Sequence, residues 1–268
     1  PYDKNTSSES NLKAGEFYAA HGYVTVIQDV RGRFASDGEF YPFRDDGDGE
    51  KQDGYDTVEW AAEQSWTNGK IGTIGGSYSG ATQYRMLSTQ PPHLVAQFAR
   101  QSSADYYDEW VYRGGAFEYG FNLKWILTHT ATNARKLVPL SRETEVEKRI
   151  NEASENYLKW LEHSPISPLL PVDELYSWFS DWMNHPNHDD FWEEFSNERS
   201  HDRVNVPVHH FGSWFDCFLA GTLRNYTGMR ANAATAEARV GQQMTIGPWI
   251  HNPAPADLRD AGEADFGE

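Results

Sequence analysis

The sequence has little cysteine, an excess of acidic over basic residues and no long apolar runs. Its single cysteine, Cys217, cannot form an internal disulfide, so cysteine usage leaves the compartment open. The 23 lysines and arginines face 40 acidic residues, a formal net charge of -17; this disfavours nucleic acids and anionic membranes as partners. No apolar run approaches the roughly 18 residues of a membrane span. The cytoplasm is the default location, and secretion stays open if a signal peptide was removed.

Alternating strand and helix patterns predict an α/β fold, with a mostly parallel sheet flanked by helices. Hydrophobic residues at 38% and aromatic residues at 14% of the 268 positions can form a substantial core. The predicted strands are 23–30, 70–76 and 94–100, and the predicted helices are 51–66 and 78–90. Between residues 105 and 202 no buried strand is evident, and helical spacing over 117–137, 142–162, 173–183 and 189–196 predicts an inserted helical cap.

A serine flanked by small residues follows the strand predicted at 70–76. The sequence of the turn is Gly75-Gly76-Ser77-Tyr78-Ser79-Gly80. A strand that turns sharply into a helix while presenting a serine needs such small neighbours, so the pattern predicts a nucleophile elbow. The strict motif has glycine where this chain has Ser79, which is also small. Glycine-rich turn chemistry without catalysis is the alternative for this segment alone.

Two further polar residues follow later strand-like runs. Asp216 comes after the run 204–212, and His251 comes after the run 244–247. The chain order serine, aspartate, histidine is that of the α/β-hydrolases, in which histidine is the base and aspartate orients it. Taken singly, Asp216 could cap a helix starting near Phe218 and His251 could be an ordinary loop histidine. Cys217 has no neighbouring base and is interpreted as a small buried side chain.

These residues resemble the family of cocaine esterase and the X-Pro dipeptidyl peptidases, which also contains α-amino acid ester hydrolases and glutaryl acylases. The matching segments cover nearly the whole chain: residues 1–4, 22–32, 35–40, 75–80, 214–216 and 247–251. The resemblance implies a triad of Ser77, Asp216 and His251. It also implies an oxyanion hole formed by the hydroxyl of Tyr2 and the backbone N–H of Tyr78. The alternative for Tyr2 is a frayed terminal residue.

The strand and helix patterns, together with the resemblance, divide the chain. Residues 1–104 and 203–252 are expected to form two parts of the hydrolase core, and residues 105–202 the cap. Residues 253–268 are expected to be a linker toward a C-terminal jelly-roll domain outside this sequence, and the first strands of the sheet are expected to be missing as well.

Other clusters have weaker interpretations. The acidic loop 44–50 could suit calcium, but it lacks the EF-hand glycine position and is better explained as a solvated loop before a helix. The cluster 185–190 contains two histidines and two aspartates, but Pro186 forbids the helical spacing of a zinc motif. The cap aromatics Trp110, Phe117, Trp125 and Trp178 are candidate pocket walls, with core packing as the commoner role.

The expected activity is that of a serine hydrolase cleaving an ester or amide of a small molecule through an acyl-enzyme, without cofactor or metal. The residues after Asp216, which are Cys217, Phe218 and Leu219, lack the carboxylates with which α-amino acid ester hydrolases bind the substrate ammonium. A carboxylesterase or acylase acting on a small, fairly apolar acyl group is therefore preferred. X-Pro dipeptidyl peptidase activity and a noncatalytic acidic or calcium-binding domain are the alternatives. The oligomeric state stays open.

Overall fold

A computed structural model describes residues 2–5, 8–131, 136, 140–162, 164–166, 172, 175–251, 260–261 and 264–265. The helices are α1 (Ser8–Ala20), α2 (Asp53–Ala62), α3 (Tyr78–Met86), α4 (Tyr119–Ala131), α5 (Leu140–Glu155), α6 (Tyr157–Trp160), α7 (Trp178–Asn184), α8 (Asp190–Glu193), α9 (Leu219–Asn232) and α10 (Ala236–Val240). The strands are β1 (Ile71–Gly76), β2 (Leu94–Arg100), β3 (Tyr112–Arg113), β4 (Ala116–Phe117), β5 (Val208–Phe215), β6 (Gln243–Ile250), β7 (Asp260–Ala261) and β8 (Ala264–Asp265). No helix within these ranges is long and apolar enough to cross a membrane.

The central sheet has four strands in the order β1-β2-β5-β6, and every neighbouring pair is parallel. Helices flank it, which confirms the predicted fold class. Because parallel strands end at the same edge of a sheet, the residues that follow their carboxyl ends come together there. Ser77, Gln101, Asp216 and His251 each follow the last residue of one of these strands.

Two apolar clusters hold this edge in place. One lies between the sheet and its helices and includes Tyr84, Leu87, Ala99, Val208 and Met229. The other is dominated by aromatic side chains of the segment 105–202 that pack against the loop at 40–43 and against α3; four of its tryptophans are almost fully buried: Trp110, Trp178, Trp182 and Trp192. Each buried aromatic removes about 150–250 Å² of surface from water, so this cluster fixes the segment 105–202 against the sheet edge.

The structure differs from the sequence prediction at the amino-terminal side. Residues 23–30 were predicted as a strand, but they form no ladder with any described residue, and Tyr23 and Val24 are 66% and 59% exposed. The alternation of the segment is that of a strand, yet a strand needs a hydrogen-bonded neighbour, and none of the described strands lies beside it. Helix α1 was not predicted from the sequence. Its apolar residues do not form the single stripe that marks an amphipathic helix, and Leu12 and Phe17 are exposed in the structure.

The segment 105–202 also departs from the purely helical expectation. A two-residue hairpin, β3 with β4, precedes α4. The helix predicted at 117–137 begins at Tyr119, and residues 132–135 and 137 lie outside the described part. Most of the linker predicted at 253–268 also lies outside it, except for the short antiparallel pair β7 and β8.

A cluster of charges joins both ends of the segment 105–202 to helix α9. Arg224 of α9 donates to Glu109 Oε1 at 2.9 Å and also pairs with Asp108 and Glu198. The backbone N–H of Ala104 donates to Glu109 Oε2 at 2.9 Å. Burial raises the pKa of Glu109 from 4.5 to about 7, despite the opposing effects of these donors.

We expect Glu109→Gln to change how stability depends on pH. Between about pH 4.5 and 7, the folded protein keeps a proton on Glu109 that the unfolded chain has released, so the free energy of unfolding falls as the pH rises. The loss attributable to this group is about 3 kcal/mol across that window. Urea denaturation at several pH values should therefore give free energies of unfolding that lie closest near pH 4.5 and diverge as the pH rises to 8, with the wild type losing stability relative to the variant. Parallel curves would contradict the assignment.

Candidate active site

Ser77 lies in a strained turn between β1 and α3. Its backbone has φ 57° and ψ -124°, a left-handed conformation that is costly for a residue with a Cβ. The turn is tight enough to need small neighbours: a Cβ on Gly75 would lie 2.6 Å from the Cβ of Ser79, and one on Gly80 would lie 2.8 Å from the carbonyl oxygen of Arg100. This strand-turn-helix geometry presents the serine hydroxyl at the carboxyl edge of the sheet.

His251 contacts both of the other predicted triad residues. Its Nε2 is 3.1 Å from Ser77 Oγ, and its Nδ1 is 2.7 Å from Asp216 Oδ1. Because a carboxylate oxygen accepts, Nδ1 carries the proton and Nε2 is free to accept from the serine hydroxyl. The side chain of Asp216 is fully buried. The capping alternative does not hold, because α9 begins at Leu219 after Phe218, with no side chain capping it.

Neighbouring side chains hold the histidine segment. Phe218 meets the His251 ring edge to face with centroids 5.3 Å apart, and Trp110 stacks on Phe218 at 4.5 Å. The side-chain amide of Gln101 donates to Ser213 Oγ at 2.7 Å and to the carbonyl oxygen of Ile250 at 2.8 Å. Gln101 therefore links the ends of β2, β5 and β6 directly before His251. Sequence analysis missed it; the available signal was a polar residue directly after a predicted strand.

The hydroxyl of Tyr2 lies beside Ser77. Burial of this hydroxyl raises the pKa of Tyr2, while hydrogen bonding to the Ser77 side chain and to the Tyr78 backbone N–H lowers it in part. The phenol therefore stays protonated at neutral pH and can donate. Tyr2 as a whole is 38% exposed, because only its hydroxyl end enters the site.

Tyr78 contributes to the site through its backbone. It is the first residue of α3, and its N–H faces the hydroxyl of Tyr2. The Tyr78 side chain is buried, and its hydroxyl accepts a hydrogen bond from the backbone N–H of Phe43 at 3.0 Å. The two predicted oxyanion donors thus adjoin each other and the serine.

A buried arginine that sequence analysis did not single out lies behind Tyr2. The guanidinium of Arg33 donates to the carbonyl oxygen of His129 at 2.6 Å, and the His129 ring is 5.4 Å from that of Tyr2. Burial, together with the charge of Arg33, holds the pKa of His129 well below its usual value, so this imidazole is neutral. Burial also lowers the pKa of Arg33.

The cap aromatics named from the sequence differ in position. Trp125 is the one that interacts with the hydroxyl of Tyr2, so it borders the site. Trp110 stacks on Phe218 and also contacts Trp125, and Trp178 is buried among aromatic neighbours. Phe117 packs on Tyr112 and Phe179.

The other polar clusters are occupied by ion pairs. In the acidic loop, Asp48 pairs with Arg199 and Arg203 at 3.2 and 2.7 Å, and Asp45 lies 3.6 to 3.8 Å from Arg31, Arg44 and Lys51. These two carboxylates of the loop are thus paired with side-chain cations.

The histidine cluster is similarly divided. His185 pairs with Asp189 at 2.8 Å, and His188 with Asp105 at 3.2 Å. In the part of the chain that the structure describes, only Asp216, Cys217 and His251 form a group close enough to hold a metal, and His251 also contacts Ser77. Burial raises the pKa of Cys217 to about 12, which keeps it a thiol.

A family model and a curated relative both match nearly the whole of this chain. The family model of the X-Pro dipeptidyl-peptidases (S15 family) matches residues 1–253. A cocaine esterase from Rhodococcus sp. (strain MB1 Bresler) is 30% identical over 263 residues, which cover 94% of this chain and 43% of the esterase.

Two solved structures share the fold. An aminopeptidase from the marine sediment archaeon Thaumarchaeota archaeon has a TM-score of 0.73 at 21% identity, over 94% of this chain and 42% of its own. A CocE/NonD family hydrolase from Staphylococcus aureus has a TM-score of 0.57 at 25% identity, over 81% of this chain and 31% of its own. The chain thus spans less than half the length of each of these relatives.

Proposed function

Because the chain belongs to the X-Pro dipeptidyl-peptidase (S15) family, we propose that it is a serine hydrolase that cleaves an ester or amide bond through an acyl-enzyme. The observation that carries the proposal is the continuous contact from Asp216 through His251 to Ser77, at 2.7 and 3.1 Å. Each contact is within the range of a working hydrogen bond, and the serine lies in an elbow that presents it.

In the proposed reaction, Ser77 Oγ attacks the substrate carbonyl carbon while His251 Nε2 takes the hydroxyl proton. The carbonyl π bond opens onto oxygen, giving a tetrahedral oxyanion that accepts hydrogen bonds from the Tyr2 hydroxyl and the Tyr78 N–H. His251 then gives the proton to the leaving alcohol or amine as its bond to carbon breaks. Water repeats the sequence on the acyl-enzyme and releases the acid and Ser77.

The side chains beside the site favour an uncharged acyl group. Phe218 lies next to His251 with Trp110 stacked on it, and Trp125 lies next to Tyr2. Phe218 follows the triad aspartate by two positions, where a carboxylate would have suited a substrate ammonium. We therefore propose a small, fairly apolar ester as the preferred substrate, with X-Pro dipeptide amides as the second candidate, which the family description supports.

A substrate panel separates these candidates. Hydrolysis of p-nitrophenyl acetate, butyrate and benzoate is measured beside Ala-Pro-p-nitroanilide and its N-acetylated form. Faster turnover of the esters supports the preferred proposal. Faster turnover of the free-amine dipeptide amide, lost on acetylation, would overturn it in favour of the peptidase.

Tyr2→Phe tests the oxyanion hole. We expect kcat to fall by about 10²–10³-fold, because one preorganised donor to the developing oxyanion is lost. The matched control is Tyr112→Phe, which removes a buried hydroxyl that donates to the Trp182 carbonyl oxygen at 2.9 Å. The control should lose stability rather than turnover. Equal turnover of Tyr2→Phe and wild type would show that the Tyr2 hydroxyl has no catalytic role.

A further inference from the structure

The short segment that carries Tyr2 is tied to a buried carboxylate outside the triad. The backbone N–H of Lys4 donates to Asp29 Oδ1 at 2.7 Å, and Lys4 Nζ donates to Asp29 Oδ2 at 2.9 Å. One aspartate thus binds both the main chain and the side chain of a residue two positions from Tyr2. We propose that Asp29 is a positioning residue of the oxyanion hole, an inference that rests on the proposed function.

Asp29 is itself fixed in the core. It is only 2% exposed, and its carbonyl oxygen accepts a hydrogen bond from Ser36 Oγ at 2.7 Å. The backbone N–H of Ala35 donates more weakly to Oδ2 at 3.4 Å. Since both oxygens of the carboxylate are engaged with Lys4, the anchor resists translation and rotation of the segment.

The turn between Tyr2 and Lys4 makes such an anchor necessary. Asp3 has φ 66°, a left-handed conformation that is strained for aspartate, and its Oδ1 accepts the backbone N–H of Asn5 at 3.0 Å. A strained turn persists only where its surroundings hold it. The contacts of Lys4 with Asp29 hold this turn at Lys4, two positions from Tyr2, whose hydroxyl lies beside Ser77.

The chemistry of the oxyanion hole explains why the position of the Tyr2 hydroxyl must be held closely. A donor is effective only within about 2.7–3.1 Å of the developing oxyanion, and a displacement of about 1 Å can cost about 100-fold in rate. Tyr2 is 38% exposed, so packing around the ring is incomplete. The carboxylate therefore supplies a fixed point from which the phenol is aimed.

The test is a double-mutant cycle between residues 29 and 2, measured on the best ester of the panel. Asp29→Asn keeps the shape of the side chain but turns an amide N–H₂ toward one of the two donors of Lys4. We expect kcat to fall by roughly 10- to 100-fold with KM changed by less than about threefold. In the Tyr2→Phe background the same substitution should change kcat by less than about twofold, because the group that it positions is gone.

The control for a general loss of structure is Asp53→Asn, which removes a different carboxylate, the one that accepts from Arg31 Nε at 2.9 Å. Its effect should multiply with that of Tyr2→Phe. If Asp29→Asn does not fold, Lys4→Met is the substitute, because it removes only the contact of Lys4 Nζ with Asp29. It should give a smaller loss of kcat, and that loss should disappear in the Tyr2→Phe background.

Coupling to Tyr2 for Asp29 and not for Asp53 supports the inference. The Asp29 inference would be overturned if the effects of Asp29→Asn and Tyr2→Phe simply multiplied, or if Asp29→Asn left kcat unchanged. The proposed function would survive either result, provided that the wild type still showed Ser77-dependent hydrolysis. An unsubstituted protein without Ser77-dependent hydrolysis would instead overturn the proposed function, and the Asp29 inference with it.

Discussion

Replacing Ser77 by alanine is expected to lower kcat by about a millionfold, the largest effect predicted for any single substitution in this chain. The hydroxyl at this position is the group that His251 Nε2 contacts at 3.1 Å, and an alanine methyl leaves nothing to attack the substrate. What remains should be the modest acceleration that binding and the oxyanion donors provide alone. Turnover of the best ester, measured on protein whose thermal unfolding matches the wild type, checks the prediction.

Ser79→Ala is the matched control for this experiment. It makes the same chemical change two positions along the elbow and keeps the Cβ that packs near Gly75. We expect its kcat to stay close to that of wild type, because His251 Nε2 contacts the hydroxyl of Ser77 and not that of Ser79. A Ser77→Ala protein that hydrolyses esters as fast as the Ser79→Ala protein would remove Ser77 from the mechanism.

Replacing Asp216 by asparagine is expected to lower kcat by about 10⁴-fold with little change in structure. The carboxylate accepts the Nδ1 proton of His251 at 2.7 Å, so it fixes the tautomer in which Nε2 can take a proton from the serine. An asparagine amide can donate to Nδ1 instead, which would place the imidazole proton on Nε2, facing Ser77. The loss should therefore appear in kcat at neutral pH.

The control is a second aspartate and histidine pair, within the segment 105–202. Asp189 Oδ2 is 2.8 Å from His185 Nδ1, and Asp189 also caps α8 by accepting the backbone N–H of Phe191. Asn can still cap, so Asp189→Asn should fold and retain turnover. If both substitutions reduced kcat to the same extent, the loss would come from general disturbance rather than from the tautomer of His251.

The parts of the fold that sequence reasoning predicted are those with strong local patterns. The strand predicted at 94–100 is β2, and the strand predicted at 70–76 is β1 to within one residue. Small residues around Ser77 predicted the elbow because the steric demand is local: the contacts of Gly75 and Gly80 are with residues of the same turn and the neighbouring strand. Asp216 and His251 were predicted from their order after Ser77 and their positions at strand ends, which parallel strands bring to one edge of the sheet.

The remaining features depend on contacts between distant residues. Tyr2 came only from family resemblance, because nothing near it in the sequence shows that its hydroxyl enters a site built from residues 77 and 251. Gln101 links three strand ends, and Asp29 binds a residue 25 positions away. The prediction of a strand at 23–30 was wrong. The alternation of side chains that suggested it is a local pattern, whereas a strand also needs a hydrogen-bonding neighbour from elsewhere in the chain.

Labelling with a fluorophosphonate, followed by peptide mapping of the modified residue, tests the central claim most directly. Such a probe reports an activated serine without requiring knowledge of the substrate, because the nucleophile attacks phosphorus and expels fluoride. The account predicts about one label per folded chain, on Ser77, and none in Ser77→Ala. A folded protein that takes no label, or that takes it on another residue, would contradict the assignment of Ser77, His251 and Asp216 as the catalytic machinery.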